Sequence, residues 1–385
     1  MIKITDPSKC CGCSACVSSC PVGCIVMTRD QEGFDYPIAN ADLCVGCGKC
    51  DSVCPMSSQP ETAEPVAAYA VRFDEYVAGS SSGGVFPALA SAVFDEGGCV
   101  FGAALESDMK VGHAEAADMS ELEAMRGSKY VQSDLYSVFE DIREKLDLNE
   151  KVMFSGTPCQ VAGLNSFLGK SYDNLLTVDI ACHGVPAPGL WERYVSAMEK
   201  AAGKKIAGVN FRDKSKSWRH YGMSVRYIDG TVSYSRRDKD PYLSLFLQKM
   251  TLRPSCYDCR FKCGKSGSDM TLSDLWSVPD LAPEMNDDKG VSGVFVNTEK
   301  GAGEFAKLHP AFAVSVDTVK ARSCNSGFSA SVEAPVAREE FFKGAHLTPD
   351  IVGHMKKYVV AEPLPRRVWR QLRSLLSKVK RRISV

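Results

Sequence analysis

From residue 68 onward, short apolar runs alternate with stretches in which apolar residues recur every three or four positions, the period-two and period-3.6 signatures of strands and helices. The pattern predicts a strand near 68–72, a helix over 85–94 and an apolar strand over 99–105. A helix over 136–146, a buried strand over 151–155, a turn at 156–159 and a short helix from Val161 follow. A strand over 175–181 then ends at Cys182-His183-Gly184, and a helix runs over 188–200. This alternation predicts a largely parallel sheet covered by helices. After residue 205 the texture changes. A strand over 206–212 precedes a hairpin of 223–228 and 231–235 around Asp229-Gly230, then a helix over 241–250, strands over 271–275 and 291–296, and a helix over 301–308. Residues 57–66, rich in Ser, Pro and Glu, read as a linker to whatever precedes them.

The first 55 residues obey neither period. They carry one cysteine phrase twice, Cys10-x2-Cys13-x2-Cys16-x3-Cys20-Pro21 and Cys44-x2-Cys47-x2-Cys50-x3-Cys54-Pro55. This spacing resembles that of bacterial two-cluster ferredoxins, in which the fourth cysteine of each run crosses to the other cluster. The resemblance implies that Cys10, Cys13, Cys16 and Cys54 hold one [4Fe-4S] cluster, and Cys44, Cys47, Cys50 and Cys20 the second. Gly12, Gly46 and Gly48 let the backbone wrap closely around them. Zinc sites use one or two Cys-x2-Cys pairs, and a thiol-rich chain without a secretory signal does not favour disulfides. Cys11 and Cys24 fall outside the ligand set and read as small buried residues.

Composition sharpens this picture only at its edges. The chain of 385 residues is 44% hydrophobic and 24% charged, as in an ordinary globular protein, so its 17 cysteines stand out. No stretch approaches 18 uncharged apolar residues, and the N-terminus lacks a signal-type apolar run, so a reducing cytoplasm is the expected compartment. The net charge is -1, yet residues 363–385 hold eight cations and no acid, which leaves the rest at -9. Val368, Trp369, Leu372, Leu375, Leu376, Val379 and Ile383 form one helical stripe in that tail. Such a basic amphipathic helix suits an anionic membrane face, so peripheral attachment to the inner face is one expectation; docking on the chain's own domain or on a partner is the other. With no basic face elsewhere, nucleic acid is not expected.

A second cysteine group is scattered. Cys159 and Cys182 follow the predicted strands 151–155 and 175–181, at the edge where parallel sheets place ligands, and Cys256 and Cys259 form a Cys-x2-Cys loop. The four suit a third [4Fe-4S] cluster, although a thiol opening a helix, as at Cys159, also suits a redox-active nucleophile. Cys263 and Cys324 are reserve ligands, and Cys99 is core. Ser80, Ser81, Ser82, Gly83 and Gly84 open a helix directly after a strand, either as a phosphate cradle or as a capped helix start. No Gly-x-Gly-x-x-Gly follows a strand, so a Rossmann site is unsupported.

The segments Ser82-Gly83-Gly84-Val85, Gly127 to Ser133, Gly156-Thr157-Pro158-Cys159-Gln160, Cys182-His183-Gly184, Cys256-Tyr257-Asp258-Cys259 and Asp269 to Asp274 resemble, in order, the beta subunit family of coenzyme F420 hydrogenase/dehydrogenase. The resemblance spans residues 65–340. It implies a larger mixed α/β, non-Rossmann flavin-binding domain with parts at 65–204 and 205–345, which with the ferredoxin-type domain at 1–58 before it and the basic tail at 363–385 after it makes an α+β protein. It implies FAD held near Ser81, Ser82, Gly83, Gly84, Lys129 and Thr157, with Lys129 neutralising a phosphate or the reduced flavin and His183 polarising the ring. A solvated lysine and a structural histidine are the alternatives. Arg212, Lys214, Lys216 and Arg219, among aromatic residues, read as a mobile basic loop over an anionic ligand or as an ordinary solvated loop. The implied activity is electron transfer between a hydride donor or acceptor, reduced coenzyme F420 or an organic substrate, and ferredoxin-type carriers. A subunit with no substrate of its own, or a reductase of a polysaccharide-pathway intermediate, are the rival readings.

Overall fold

The computed structural model describes residues 1–57 and 64–360; the basic tail and most of the expected linker lie outside the described residues. The N-terminal part repeats one device twice. Gly12 and Ser14, then Gly46 and Gly48, adopt left-handed backbone, and each pair leads into a single helical turn, Ala15–Ser18 and Lys49–Ser52. Between them lies an antiparallel hairpin of β1 (Ile25–Arg29) and β2 (Asp35–Ala39). The result is the ferredoxin-like region expected.

The larger part is mixed α/β. Its strands are β3 (Ala67–Arg72), β4 (Cys99–Leu105), β5 (Val111–Ala116), β6 (Val152–Gly156), β7 (Leu175–Ile180), β8 (Ile206–Asp213), β9 (Gly222–Tyr227), β10 (Val232–Arg236), β11 (Met270–Asp274), β12 (Ser292–Val296) and β13 (Phe312–Ser315). Eight of them form one sheet in the order β13-β3-β12-β11-β7-β6-β4-β5, and β10-β9-β8 form a separate antiparallel sheet. Only β4, β6, β7 and β11 run parallel, while both flanks are antiparallel. The expectation of a largely parallel sheet is corrected accordingly. The parallel centre is the part buried on both faces: β6 and β7 are almost wholly enclosed, whereas the edge strand β13 is mostly exposed. The sheet draws strands from both sides of residue 204.

The two parts are tightly seamed. Arg338 grips Glu32 with two bonds of 2.9 and 2.5 Å, and Arg29 pairs with Glu192 at 2.7 Å. Gly33 and Gly189 touch through their backbones, Gly189 N–H donating to the Gly33 carbonyl at 3.0 Å. The helix Pro158–Leu168 meets the first cysteine run through Gly163, where an added Cβ would stand 2.8 Å from the Cβ of Cys13. Gly163→Val is therefore expected to destabilise the protein by about 1–3 kcal/mol through overpacking, although valine is placed in a helix where glycine is ordinarily the weaker residue. An anaerobic denaturant midpoint checks this; an unchanged or raised midpoint would count against the seam.

Candidate functional site

The Gly156-Thr157-Pro158-Cys159-Gln160 turn shows how local sequence sets the site. β6 ends at Gly156, Thr157 caps the helix reciprocally with Gln160, and Pro158 occupies its first turn. The helix therefore starts three residues before the expected Val161, and Cys159 sits in its first turn. Its thiol is brought down to about 7, first by the Cys11 thiol beside it, and also by the Thr157 hydroxyl at 3.2 Å.

Cys159, Cys182, Cys256 and Cys259 line one small cavity together with Cys11, Met56 and Lys262. Burial pushes the Cys256 thiol up to about 12 and the Cys259 thiol to about 11. Lys262 is itself buried, and its ammonium donates to the carbonyls of Cys182 at 2.6 Å and Gly327 at 2.7 Å. Cys11, expected as a bland core residue, is shared between this cavity and the next one. That next cavity is lined by Cys10, Cys13, Cys16 and Cys54, with Met56 again shared. Cys20, Cys44, Cys47 and Cys50 line a third, which also takes in Cys24. Cys24 Sγ lies 3.4 Å from Cys20 Sγ. Cys54 thus lines the cavity of the first run and Cys20 that of the second.

These cysteine sets fit iron-sulfur clusters on their own chemistry. Among the described residues no group of three or more His, Cys, Asp or Glu converges on a single metal-ion position, and four thiols around a void are what the corners of a cubane require. The reserve cysteines lie elsewhere. Cys263 donates to the Ser329 carbonyl at 2.9 Å, and Cys324 borders the large cavity described next. Cys99 is buried in β4, as expected.

A cavity of about 420 Å³ opens at the C-terminal ends of β6, β7 and β11, sharing Cys182, Gly184 and Val185 with the cavity of Cys159 and Cys256. Ser81, Ser82, Gly84, Lys129, Thr157 and His183 all line it. Gly83 does not. Its N–H is given to Ser292 Oγ at 2.9 Å, and a side chain there would collide with the Val71 carbonyl, so Gly83 serves strand packing rather than a ligand. Ser82 is likewise tied to the Val291 carbonyl at 2.8 Å. Ser81 instead accepts from the Ser128 N–H at 2.8 Å and hydroxyl, joining the two loops.

The cavity is electropositive. Its lining holds Arg126, Lys129 and Arg212 against one carboxylate, Asp274, which is paired with Arg212, while Arg126 pairs with Glu123 outside the lining. Nε of Arg126, Nε and Nη2 of Arg212, Ser80 Oγ and His183 Nε2 are buried without a partner among the described residues. Such orphaned donors suit an anionic, hydrogen-bonding ligand. Arg212 belongs to β8 and stacks over Tyr221 and Trp276, so the expected mobile basic loop is largely ordered. Burial brings His183 down to about 4, so its imidazole is neutral. Burial likewise brings Lys129 down to about 7.

Lys129 is cationic only below that value, and a bound anion moves its midpoint upward. The affinity of this cavity for an anionic probe, with added FAD as the fluorescent one, is accordingly expected to fall roughly tenfold from pH 6 to pH 9, the loss of one charged hydrogen bond. Flavin-fluorescence titrations check it; an equally steep fall in Lys129→Met would assign the pH dependence to another group.

Residues 149–321 match the family model for the C-terminal part of the coenzyme F420 hydrogenase/dehydrogenase beta subunit, and residues 9–58 match the 4Fe-4S dicluster domain. A solved structure, the xenon-derivatised F420-reducing [NiFe] hydrogenase complex from Methanosarcina barkeri, is similar with a TM-score of 0.44 and 15% identity over 69% of this chain and 90% of that one. No curated protein matches. Among the described residues no helix is long and apolar enough to cross a membrane. The chain is an iron-sulfur, electron-transferring protein that carries, over residues 149–321, a region matching the C-terminal part of the coenzyme F420 hydrogenase/dehydrogenase beta subunit and, over residues 9–58, a 4Fe-4S dicluster domain.

Proposed function

We propose that the chain is a flavin- and iron-sulfur-dependent oxidoreductase that passes electrons between a two-electron donor, reduced coenzyme F420 or an organic substrate, and one-electron carriers of ferredoxin type. The observation that carries this reading is the unbroken series of cavities. The electropositive cavity shares residues with the one lined by Cys159, Cys182, Cys256 and Cys259, and that one shares Cys11 and Met56 with the cavity of Cys10, Cys13, Cys16 and Cys54. Ile2, Cys16, Ile25 and Cys50 then pack in one cluster that joins the two halves of the dicluster domain.

A bound FAD supplies the conversion between hydride transfer and single-electron transfer. The chain's own residues set the conditions for it. Arg126, Arg212 and Lys129 hold negative charge, Ser80 and Ser81 offer hydroxyls to phosphate oxygens, and neutral His183 presents Nε2 to the ligand from the loop that also carries Cys182. The twelve cysteines hold three [4Fe-4S] clusters, and the buried cations Lys262 and Arg253 offset their negative charge. The exit lies at Cys47, which is exposed and shares its cavity with the exposed apolar residues Val22 and Val45, a surface suited to a small redox partner. From its residue stripe alone, the 363–385 tail is proposed to rest on an anionic membrane face.

Anaerobic purification with iron, sulfide and flavin quantified together tests the whole reading. The expected result is about twelve irons and one FAD per chain. About eight irons without flavin would sink it and leave only the dicluster domain with a redox role.

A further inference from the structure

Among the described residues Arg253 is the most deeply buried arginine, with 1% of its surface exposed, and it is held by groups that carry no formal negative charge. Nε donates to the Cys10 carbonyl at 2.8 Å, Nη1 to Gln132 Oε1 at 3.0 Å, and Nη2 to the Asp35 carbonyl at 3.0 Å. A fourth contact joins Nη2 to Cys10 Sγ at 3.6 Å. The guanidinium lies 4.1 Å from the centre of the Tyr36 ring and 5.5 Å from that of Phe34. No ion pair to a carboxylate is formed, among the described residues. Gln132 completes the arrangement by donating to the Cys11 carbonyl at 3.1 Å. Gly12, between them, leaves the room: a Cβ there would stand 2.5 Å from Gln132 Nε2 and 2.9 Å from Arg253 Nη1.

A guanidinium removed from water without an anion is costly, and neutral carbonyls recover only part of that cost. Burial holds the neighbouring Tyr36 phenol protonated, so the groups left to carry negative charge beside the guanidinium are thiols. Cys10 touches Nη2, and Cys256 lies one turn along the chain, its N–H bonded to the Arg253 carbonyl. The Arg253 N–H in turn donates to the Val185 carbonyl, beside the Cys182 loop. Arg253 therefore stands between two of the cysteine sets while reaching into one.

We propose that Arg253 is a positioning residue whose buried charge raises the reduction potential of the cluster held by Cys10, Cys13, Cys16 and Cys54, while its hydrogen bonds fix that cluster's distance from the Cys159–Cys182–Cys256–Cys259 set. This rests on the reading that those cysteines hold a cluster. One-electron reduction adds one negative charge to a thiolate-bound cubane and breaks no bond, so a fixed cation in contact with a ligand sulfur favours the reduced form. The cation is worth most where water is excluded. Arg253 reaches the first set from behind its lining, through Cys10, whereas the cations at the second, around the exposed Cys47, are Lys49 and the N-terminal ammonium, both exposed to water.

The test is an EPR-monitored redox titration of the full chain, purified anaerobically and reduced with dithionite. The relevant cluster is the one whose signal is lost or altered in Cys10→Ser. In Arg253→Gln its reduced-to-oxidised ratio at a fixed potential is expected to fall at least tenfold, a midpoint about 59 mV lower, with iron content unchanged. Arg253→Lys, which keeps the charge but loses the fork, is expected to stay within threefold of wild type. A ratio within twofold of wild type in Arg253→Gln overturns the inference while leaving the clusters intact. Should Arg253→Gln not accumulate, Gln132→Glu sets a carboxylate against Nη1 with the arginine in place; the same tenfold fall supports the proposal and an unchanged ratio overturns it. If wild type shows no signal sensitive to Cys10→Ser, the cluster reading fails first, and this inference with it.

Discussion

Cys256→Ala is expected to cost about four of roughly twelve irons per chain and to disconnect the large cavity from the dicluster domain. The alanine removes a sulfur that neither reserve cysteine replaces, since Cys263 is engaged with Ser329 and Cys324 borders a different cavity, while Cys11 is turned to Cys13 and Cys159. Burial keeps the Cys256 thiol protonated, so its proton leaves as metal binds. Two readouts distinguish this from general collapse. Dithionite should still reduce the clusters of Cys10 to Cys54, whereas a hydride donor that reduces bound flavin should no longer do so. Retention of about twelve irons, or undiminished cluster reduction by the hydride donor, would remove Cys256 from the ligand set.

Trp191→Ala is expected to lower stability by about 3–5 kcal/mol, the largest effect anticipated for a residue outside the cysteine sets. Trp191 is fully buried on the helix Pro188–Ala202, with Phe211 at 4.7 Å and Tyr242 at 5.0 Å between ring centroids. Its Nε1 donates to the Met109 carbonyl at 2.7 Å, so truncation opens a cavity and strands a buried acceptor together. The same helix carries Gly189 and Glu192, two contacts of the seam with the dicluster domain. An anaerobic urea midpoint followed by fluorescence and by cluster absorbance should therefore show both signals falling earlier than in wild type. A cluster transition left at the wild-type midpoint would mean that the two parts unfold independently.

What the sequence conveyed depended on how locally each feature was written. The doubled cysteine phrase fixes a long-range crossing, Cys54 to the first set and Cys20 to the second, because ligand spacing is a chemical constraint that survives any detail of packing. The central strands were equally legible, being apolar runs buried on both faces. The edges were not: β13 is four mostly exposed residues, and the histidine and glutamate of β5 break its apolar run, so neither shows the alternation of a half-buried strand. Gly83 read as a ligand cradle because small residues at a helix start serve phosphates and tight packing alike; only the Val71 carbonyl behind it separates the two. Cys11 and Arg253 were hidden for a different reason. Arg253 binds Cys10 across 243 residues of chain, and nothing in the Leu-Arg-Pro-Ser-Cys stretch around it announces a charge without a carboxylate.

The seam made by Arg338 with Glu32, Arg29 with Glu192, and Gly33 against Gly189 has a kinetic consequence. A carrier domain on a swinging arm delivers electrons at a rate set by its diffusion, and thickening the solvent slows it. Here the dicluster domain is bolted to the cavity-bearing domain through ion pairs and a glycine-to-glycine backbone contact that admits no side chain. On the proposed route, glycerol or sucrose should leave electron flow between the two parts untouched and slow only the encounters at its ends, the donor's at the large cavity and the carrier's at the Cys47 face.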